Sequence, residues 1–219
     1  MKYLIRVTPL IFFAIIFFSS CKKDKYLVGG SLHNAKVNMS TYDFLKSNQA
    51  GLFDTLLLLV DKAGLKDKIN QQGISFFAPT DYAINTYLKV NASERKMKWT
   101  IDSLIKYELP NFVDSINVYI VNKLLTYDNL TENGIEYPTL KEGSNCVVSY
   151  EKTLNPELGY NSNLTTIPRI VYFTFNSLKT RVQTSGIETT TGMVHVLANP
   201  HLGPDGHLDN DGNILFFRN

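Results

Sequence analysis

With 219 residues, 44% of them hydrophobic and 12% aromatic, the chain is long enough to bury a substantial core and leans towards sheet. A formal charge of +2, with no Lys/Arg cluster interleaved with aromatics, excludes nucleic acid as the partner. The cysteines are Cys21, at the end of a leader, and Cys146, so once Cys21 is modified no internal disulfide can form and the fold must stand on its core.

The chain opens with Lys2 and Arg6, followed by the apolar run Ile11 to Phe18, which is the pattern of a secretory signal over residues 1–20. The run is short for a membrane span, which needs about 20 apolar residues. Ser19-Ser20-Cys21 resembles the lipobox at which bacterial signal peptides are cut and the cysteine is lipidated, although Phe18 stands where that motif has an aliphatic residue. The expected product is a lipoprotein anchored through Cys21. Lys22, Lys23 and Lys25 then lie where each meets anionic headgroups with about 1 kcal/mol. Residues 21–38 contain Gly29-Gly30 and no sustained apolar period, as a flexible tether does.

The domain is expected over residues 39–219. Gly51 to Gly64 predicts a helix with Leu52, Phe53, Leu56, Leu57 and Val60 on one face and Gly64 as its stop. Ile74 to Ala78 reads as a strand closed by Pro79, and Thr80 or Asp81 as the cap of a helix running towards Leu88. Residues 90–111 read as an insertion, with a helix from Trp99 to Leu109 stopped by Pro110. Beyond it, Val118 to Val121, Cys146 to Tyr150, Arg169 to Phe175, Arg181 to Thr184 and Met193 to Ala198 are strand-like. Helices first and strands afterwards predict an α+β domain.

Four segments, in order, resemble the fasciclin-like domain family. Ser75 to Ile84 (SFFAPTDYAI) is similar to its first motif, and Gly192 to Leu197 (GMVHVL) to its second. Between them, Val118 to Leu130 resembles the tyrosine-histidine segment and Tyr137 to Leu140 the strand that follows. The resemblance implies a fasciclin-like fold, with amino-terminal helices packed against a mostly antiparallel β-sandwich or wedge. It also implies an extracellular binding or adhesion role with a protein or glycan ligand. Phe77, Ala78, Pro79, Thr80, Asp81, Gly192 and His195 are then structural: a strand-to-helix corner, and a strand whose histidine is a hydrogen-bonded strut to that corner. Where the family has Tyr-His this chain has Val118-Tyr119, and Gly186-Ile187 replaces an Asp-Ile pair. Those two places are linked to integrin recognition in animal members, so that ligand is not implied.

Chemistry is sparse. His195, His201 and His207 recur every six residues, an interval that suits neither a helical pair nor a zinc module. The run from His207 to Ile214 echoes a calcium loop but has His207 and Arg218 where oxygen ligands belong. No nucleophile elbow, phosphate-cradling glycine loop or HExxH helix is present, so neither metal nor cofactor is expected. Cys146 has no charged neighbour in sequence to activate it, as a buried inert thiol would have none.

The expected function is therefore a surface-exposed outer-membrane lipoprotein acting as a binding module and not as an enzyme, with an accessory role to a nutrient receptor as its finer form. The alternative is a polysaccharide-acting or metal-dependent hydrolase, which needs convergent carboxylates in a cleft. The candidate binding residues are Trp99 and Tyr107 in the inserted segment, with Val118 and Tyr119. Trp99 shares helical spacing with Ile101 and Leu104, so a place in the core is an equal reading.

Overall fold

A computed structural model describes residues 35–152 and 169–199, which belong to one unit. The leader, Cys21, His201, His207 and the calcium-loop echo lie outside the described residues. Helix α1 (Thr41–Lys46) starts at Ser40, whose hydroxyl accepts the Asp43 N–H at 3.2 Å and donates to the Asp43 carboxylate at 2.7 Å. Helix α2 (Asp54–Lys62) is shorter than the predicted Gly51 to Gly64 and buries Leu56, Leu57, Leu59 and Val60. It ends as expected at Gly64, whose φ of +66° lets the Leu65 N–H reach the Val60 carbonyl and the Gly64 N–H reach that of Asp61. Leu52 falls outside the helix and is exposed, because its carbonyl accepts the Asp81 N–H at 2.8 Å instead.

After α3 (Lys66–Ile69), strand β2 (Ile74–Ala78) is buried along its whole length. Helix α4 (Asp81–Glu94) runs past the expected end near Leu88 and into the inserted segment. Two further helices follow, α5 (Ile101–Tyr107), opened by a Thr100–Ser103 capping box, and α6 (Leu109–Val118). Pro110 was expected to stop a helix; it occupies the first turn of α6, where no N–H is needed and its fixed φ suits the entry.

The remaining strands are β3 (Ile120–Val121), β4 (Ile135–Pro138), β5 (Asn145–Lys152), β6 (Arg169–Phe175), β7 (Leu178–Glu188) and β8 (Gly192–Leu197). They pair in the order β3-β2-β8-β7-β6-β5-β4, antiparallel except for β2 with β8. A short strand β1 (Ala35–Lys36), placed in the tether by its sequence, lies parallel on Ile187–Glu188. The two ends of the sheet then meet: Val121 bridges Thr139, and the Leu140 N–H donates to the Ile120 carbonyl at 2.8 Å. The sheet, mostly antiparallel as expected, is thus nearly closed into a barrel. The long strand β7 makes this possible by leaving β6 for β8 midway, through register shifts between Val182 and Ile187.

One hydrophobic core joins the helices to the sheet, from Leu45 and Leu56 through Phe76, Phe77 and Phe112 to Phe173 and Val194. At Gly192 a Cβ would stand 2.5 Å from the Ile74 carbonyl oxygen, so the parallel approach of β2 and β8 requires glycine there.

Candidate functional site

The two motif segments meet in the middle of the sheet, where Phe77 of β2 stands opposite His195 of β8. Their rings stack with centroids 4.7 Å apart and 15° between planes. His195 is buried, and its Nδ1 accepts the Gly186 N–H at 3.3 Å while its Nε2 lies 3.1 Å from the Leu125 carbonyl oxygen. An Nδ1 that accepts leaves the proton on Nε2, which donates to Leu125. Burial lowers the imidazole pKa to about 4, so the ring is neutral. Ser75 grips the same segment: its hydroxyl donates to the Lys123 carbonyl at 2.7 Å and accepts the Leu125 N–H at 2.8 Å. The histidine is a strut, but its partners are the β7 bulge and residues 123–125 and not the Ala78–Asp81 corner that was expected, both ring nitrogens being spent on backbone.

The corner Ala78-Pro79-Thr80-Asp81 works differently from the expectation. Thr80 precedes α4 without a side-chain cap bond, and its hydroxyl bonds Asn199. The Asp81 carboxylate accepts the N–H groups of Thr55 at 2.7 Å and Leu56 at 2.9 Å. It thereby caps α2, a helix 26 residues earlier in the chain, whose own N-terminal residue Phe53 offers no side-chain oxygen.

The candidate binding residues separate into two groups. Val118 and Tyr119 do not reach the surface: Tyr119 is 1% exposed, with its ring 5.7 Å from Phe173, and Val118 is buried as the last residue of α6. A side chain enclosed in this way packs the core, and that candidate contact is corrected accordingly. Burial also raises the Tyr119 phenol pKa well above its ordinary value. Tyr107, by contrast, is 63% exposed and stacks against the partly buried Trp99 at 6.1 Å between centroids. The Arg95 guanidinium lies 4.1 Å from the Trp99 ring centroid.

A part-buried polar network fixes this arrangement. Glu108 accepts from Arg95 at 2.7 Å on one carboxylate oxygen and from the Tyr87 hydroxyl at 2.7 Å on the other. Arg95 also donates to Asn91 at 3.2 Å. Burial and the Glu108 carboxylate raise the Tyr87 pKa. The end of α4 is thereby tied to the α5–α6 junction, and the Trp99 indole is set beside a pocket of about 400 Å³ lined by Tyr82, Asn85, Leu88, Lys89, Lys98 and Trp99. The indole N–H is screened from solvent and meets no acceptor among the described residues. Tyr82, 44% exposed, escaped the sequence reading because a helical period marks apolar faces and not half-exposed aromatics.

Cys146 is buried, and burial pushes its thiol up to about 12, far from a reactive thiolate. Among the described residues, no three His, Cys, Asp or Glu side chains gather as a metal would need, and no helix is long and apolar enough to cross a membrane.

The family model of the fasciclin domain matches residues 51–200. Among solved structures, the chain is similar to the FAS1 domain pair of the insect cell adhesion molecule Fasciclin I, at 16% identity and a TM-score of 0.47. That similarity covers 71% of this chain and 49% of the other, so the chain spans about half the length of that structure. No curated protein matches.

Proposed function

The chain belongs to the fasciclin domain family, and from that premise we propose that it is an extracellular binding or adhesion module, held at a membrane by lipid on Cys21, which meets a protein or glycan through the α4–α5 face. The observation that carries the placement is Tyr107, a large aromatic 63% exposed yet held in orientation by Trp99, itself anchored through Arg95 and the buried Glu108. Ordered, exposed aromatics supply contact area at low entropic cost, which is why they dominate protein contacts and sugar stacking. Exposed Tyr82, Val90 and Met97 belong to the same stretch of chain. Among the described residues the pocket lining carries Lys89 and Lys98 and no carboxylate, which favours contact over hydrolysis.

In its finer form the module is a surface-exposed lipoprotein of the outer membrane and an accessory of a nutrient receptor there. The experiment is affinity purification of the intact lipoprotein from solubilised membranes, compared with Tyr107→Ala and Tyr82→Ala. Both substitutions lie on the surface and should leave stability within about 0.5 kcal/mol while depleting the co-purifying partner. Cys21→Ser should move the protein to the soluble fraction, since acyl chains supply about 0.8 kcal/mol per buried CH₂. Unaltered partner recovery by both tyrosine variants would remove the α4–α5 face from the proposal, and unaltered membrane partition of Cys21→Ser would remove the anchor.

A further inference from the structure

Helix α4 ends against the usual rules. The Lys96 N–H reaches the Ser93 carbonyl at 3.2 Å and the Met97 N–H reaches that of Ala92 at 3.1 Å, the paired bonds of a Schellman stop. Such a stop needs one left-handed residue, commonly glycine, followed by an apolar residue that folds back on the helix. Here the left-handed place, at φ +52°, is filled by Lys96, whose Cβ makes that conformation costly. Met97 follows and is 56% exposed, the helix presenting Ala92 and Asn91 where a long apolar side chain would be needed to cover it.

Arg95 to Lys98 are exposed in succession, so the turn projects as an apolar tip between two ammonium groups. Neither Lys96 nor Lys98 takes part in an ion pair or a ring contact among the described residues. Positive charge also gathers in this part of the chain. Between Lys89 and Tyr107 stand five Lys or Arg against Glu94 and Asp102, a formal +3 where the whole chain carries +2. Two adjacent departures from helix-ending rules, neither compensated by a contact within the described residues, mark a surface kept for something outside the fold.

We infer that the Arg95 to Lys98 turn seats the domain on an anionic lipid surface, with Met97 entering the headgroup layer and Lys96 and Lys98 meeting phosphates. A fluid surface closes around a projecting apolar side chain, and ammonium groups on long stems reach headgroups while the stems lie along the apolar layer. A glycan stacks on aromatic rings, which a thioether does not supply. The inference rests on the lipid proposed at Cys21. Ala35, where the described chain begins, is fourteen positions after Cys21, a contour of at most about 50 Å, so the domain stays near the surface and a weak contact suffices to orient it. It goes beyond the reading given for the α4–α5 face, since a partner met beside a seated turn is one that lies at the same membrane.

Trp99, the only tryptophan of the chain, stands next to the turn and reports on it. The mature chain without lipid, residues 22–219, is mixed with vesicles of phosphatidylcholine, alone or with about a third phosphatidylglycerol, at low and moderate salt. Lipids brominated near the headgroup serve as quenchers. The expected result is quenching of Trp99 by the anionic vesicles and not the neutral ones, weakening with salt; lysines of the tether cannot produce that signal. Joint Lys96→Gln and Lys98→Gln should weaken the binding so detected at least about tenfold, and Met97→Gln at least about threefold. Lys96→Gly should raise the melting temperature while weakening vesicle binding, since glycine suits the left-handed place but carries no charge. Tyr82→Ala, at the far end of α4, should bind vesicles as the parent does. Partner recovery reads Tyr82 and Tyr107 whereas vesicle binding reads Lys96 to Lys98, so either reading can fail without the other. The inference is overturned if anionic vesicles leave Trp99 unquenched, if neutral vesicles act equally, if the Lys and Met97 variants bind like the parent, or if polyglutamate binds as tightly as the vesicles. Melting curves of the variants distinguish loss of the contact from loss of the fold.

Discussion

The Nδ1 of His195 accepts a main-chain N–H, so a second ring proton would displace the Gly186 bond and place an unpaired charge among Phe77 and the core. The free imidazole titrates near 6.5 and the folded one near 4. Unfolded chains therefore bind a proton that folded chains refuse. The stability tied to His195 is complete above pH 6.5 and declines as pH falls towards 4, by an amount on the order of 3 kcal/mol. His195→Ala leaves the Leu125 carbonyl and the Gly186 N–H unsatisfied and should cost about 1–3 kcal/mol at pH 7. Because the variant lacks the titrating ring, the melting-temperature gap between parent and variant should narrow from pH 7 to pH 4.5. A gap that stays constant, or a variant of parental stability that loses partner binding, would show that the ring serves recognition and not the fold.

Between elements, the informative residue is Asp81. Its position at the start of α4 makes it, with Thr80, a candidate local cap, yet its carboxylate satisfies the first turn of α2. Asp81→Ala should cost about 1–2 kcal/mol in urea unfolding, with amides at the start of α2, not α4, losing exchange protection first. Loss confined to α4 would contradict the assignment. The same contact explains what the residue pattern could and could not reveal. The periods of α2 and β6 were legible because each buries a regular set of side chains, whereas β2 and β8, buried at every position, were legible as short apolar runs. The helix start at Gly51 was misread because Leu52 gives its carbonyl to Asp81, a partner that no local window contains. Pro110 illustrates the same ambiguity, since one proline ends a pattern and opens the next. Val118-Tyr119 stood as candidate contacts because they occupy the place of a recognition motif, whereas their burial depends on how α6 meets β3.

At the scale of the whole molecule, the inserted segment is not a detachable surface loop. Leu104 of α5 is 0% exposed and belongs to the same core as Phe112 and Phe173, while Arg95, from the surface, pairs with the buried Glu108 at its edge. Leu104→Ala alone should cost about 2–5 kcal/mol. Removing Asn91 to Tyr107 would take away Leu104 together with Arg95, leaving the Tyr87 hydroxyl as the remaining partner of the Glu108 carboxylate, and would strip the helix that covers this side of the core. Losing the Leu104 contribution and the rest of α5 together is a large fraction of the net stability of a domain, about 5–15 kcal/mol. A chain with that segment replaced by a short Gly-Ser bridge is therefore expected to lose cooperative unfolding and near-ultraviolet dichroism, whereas Tyr107→Ala keeps both. If the shortened chain unfolds cooperatively with parental stability, then α5 is peripheral, and Trp99 and Tyr107 stand on a module that the barrel does not need.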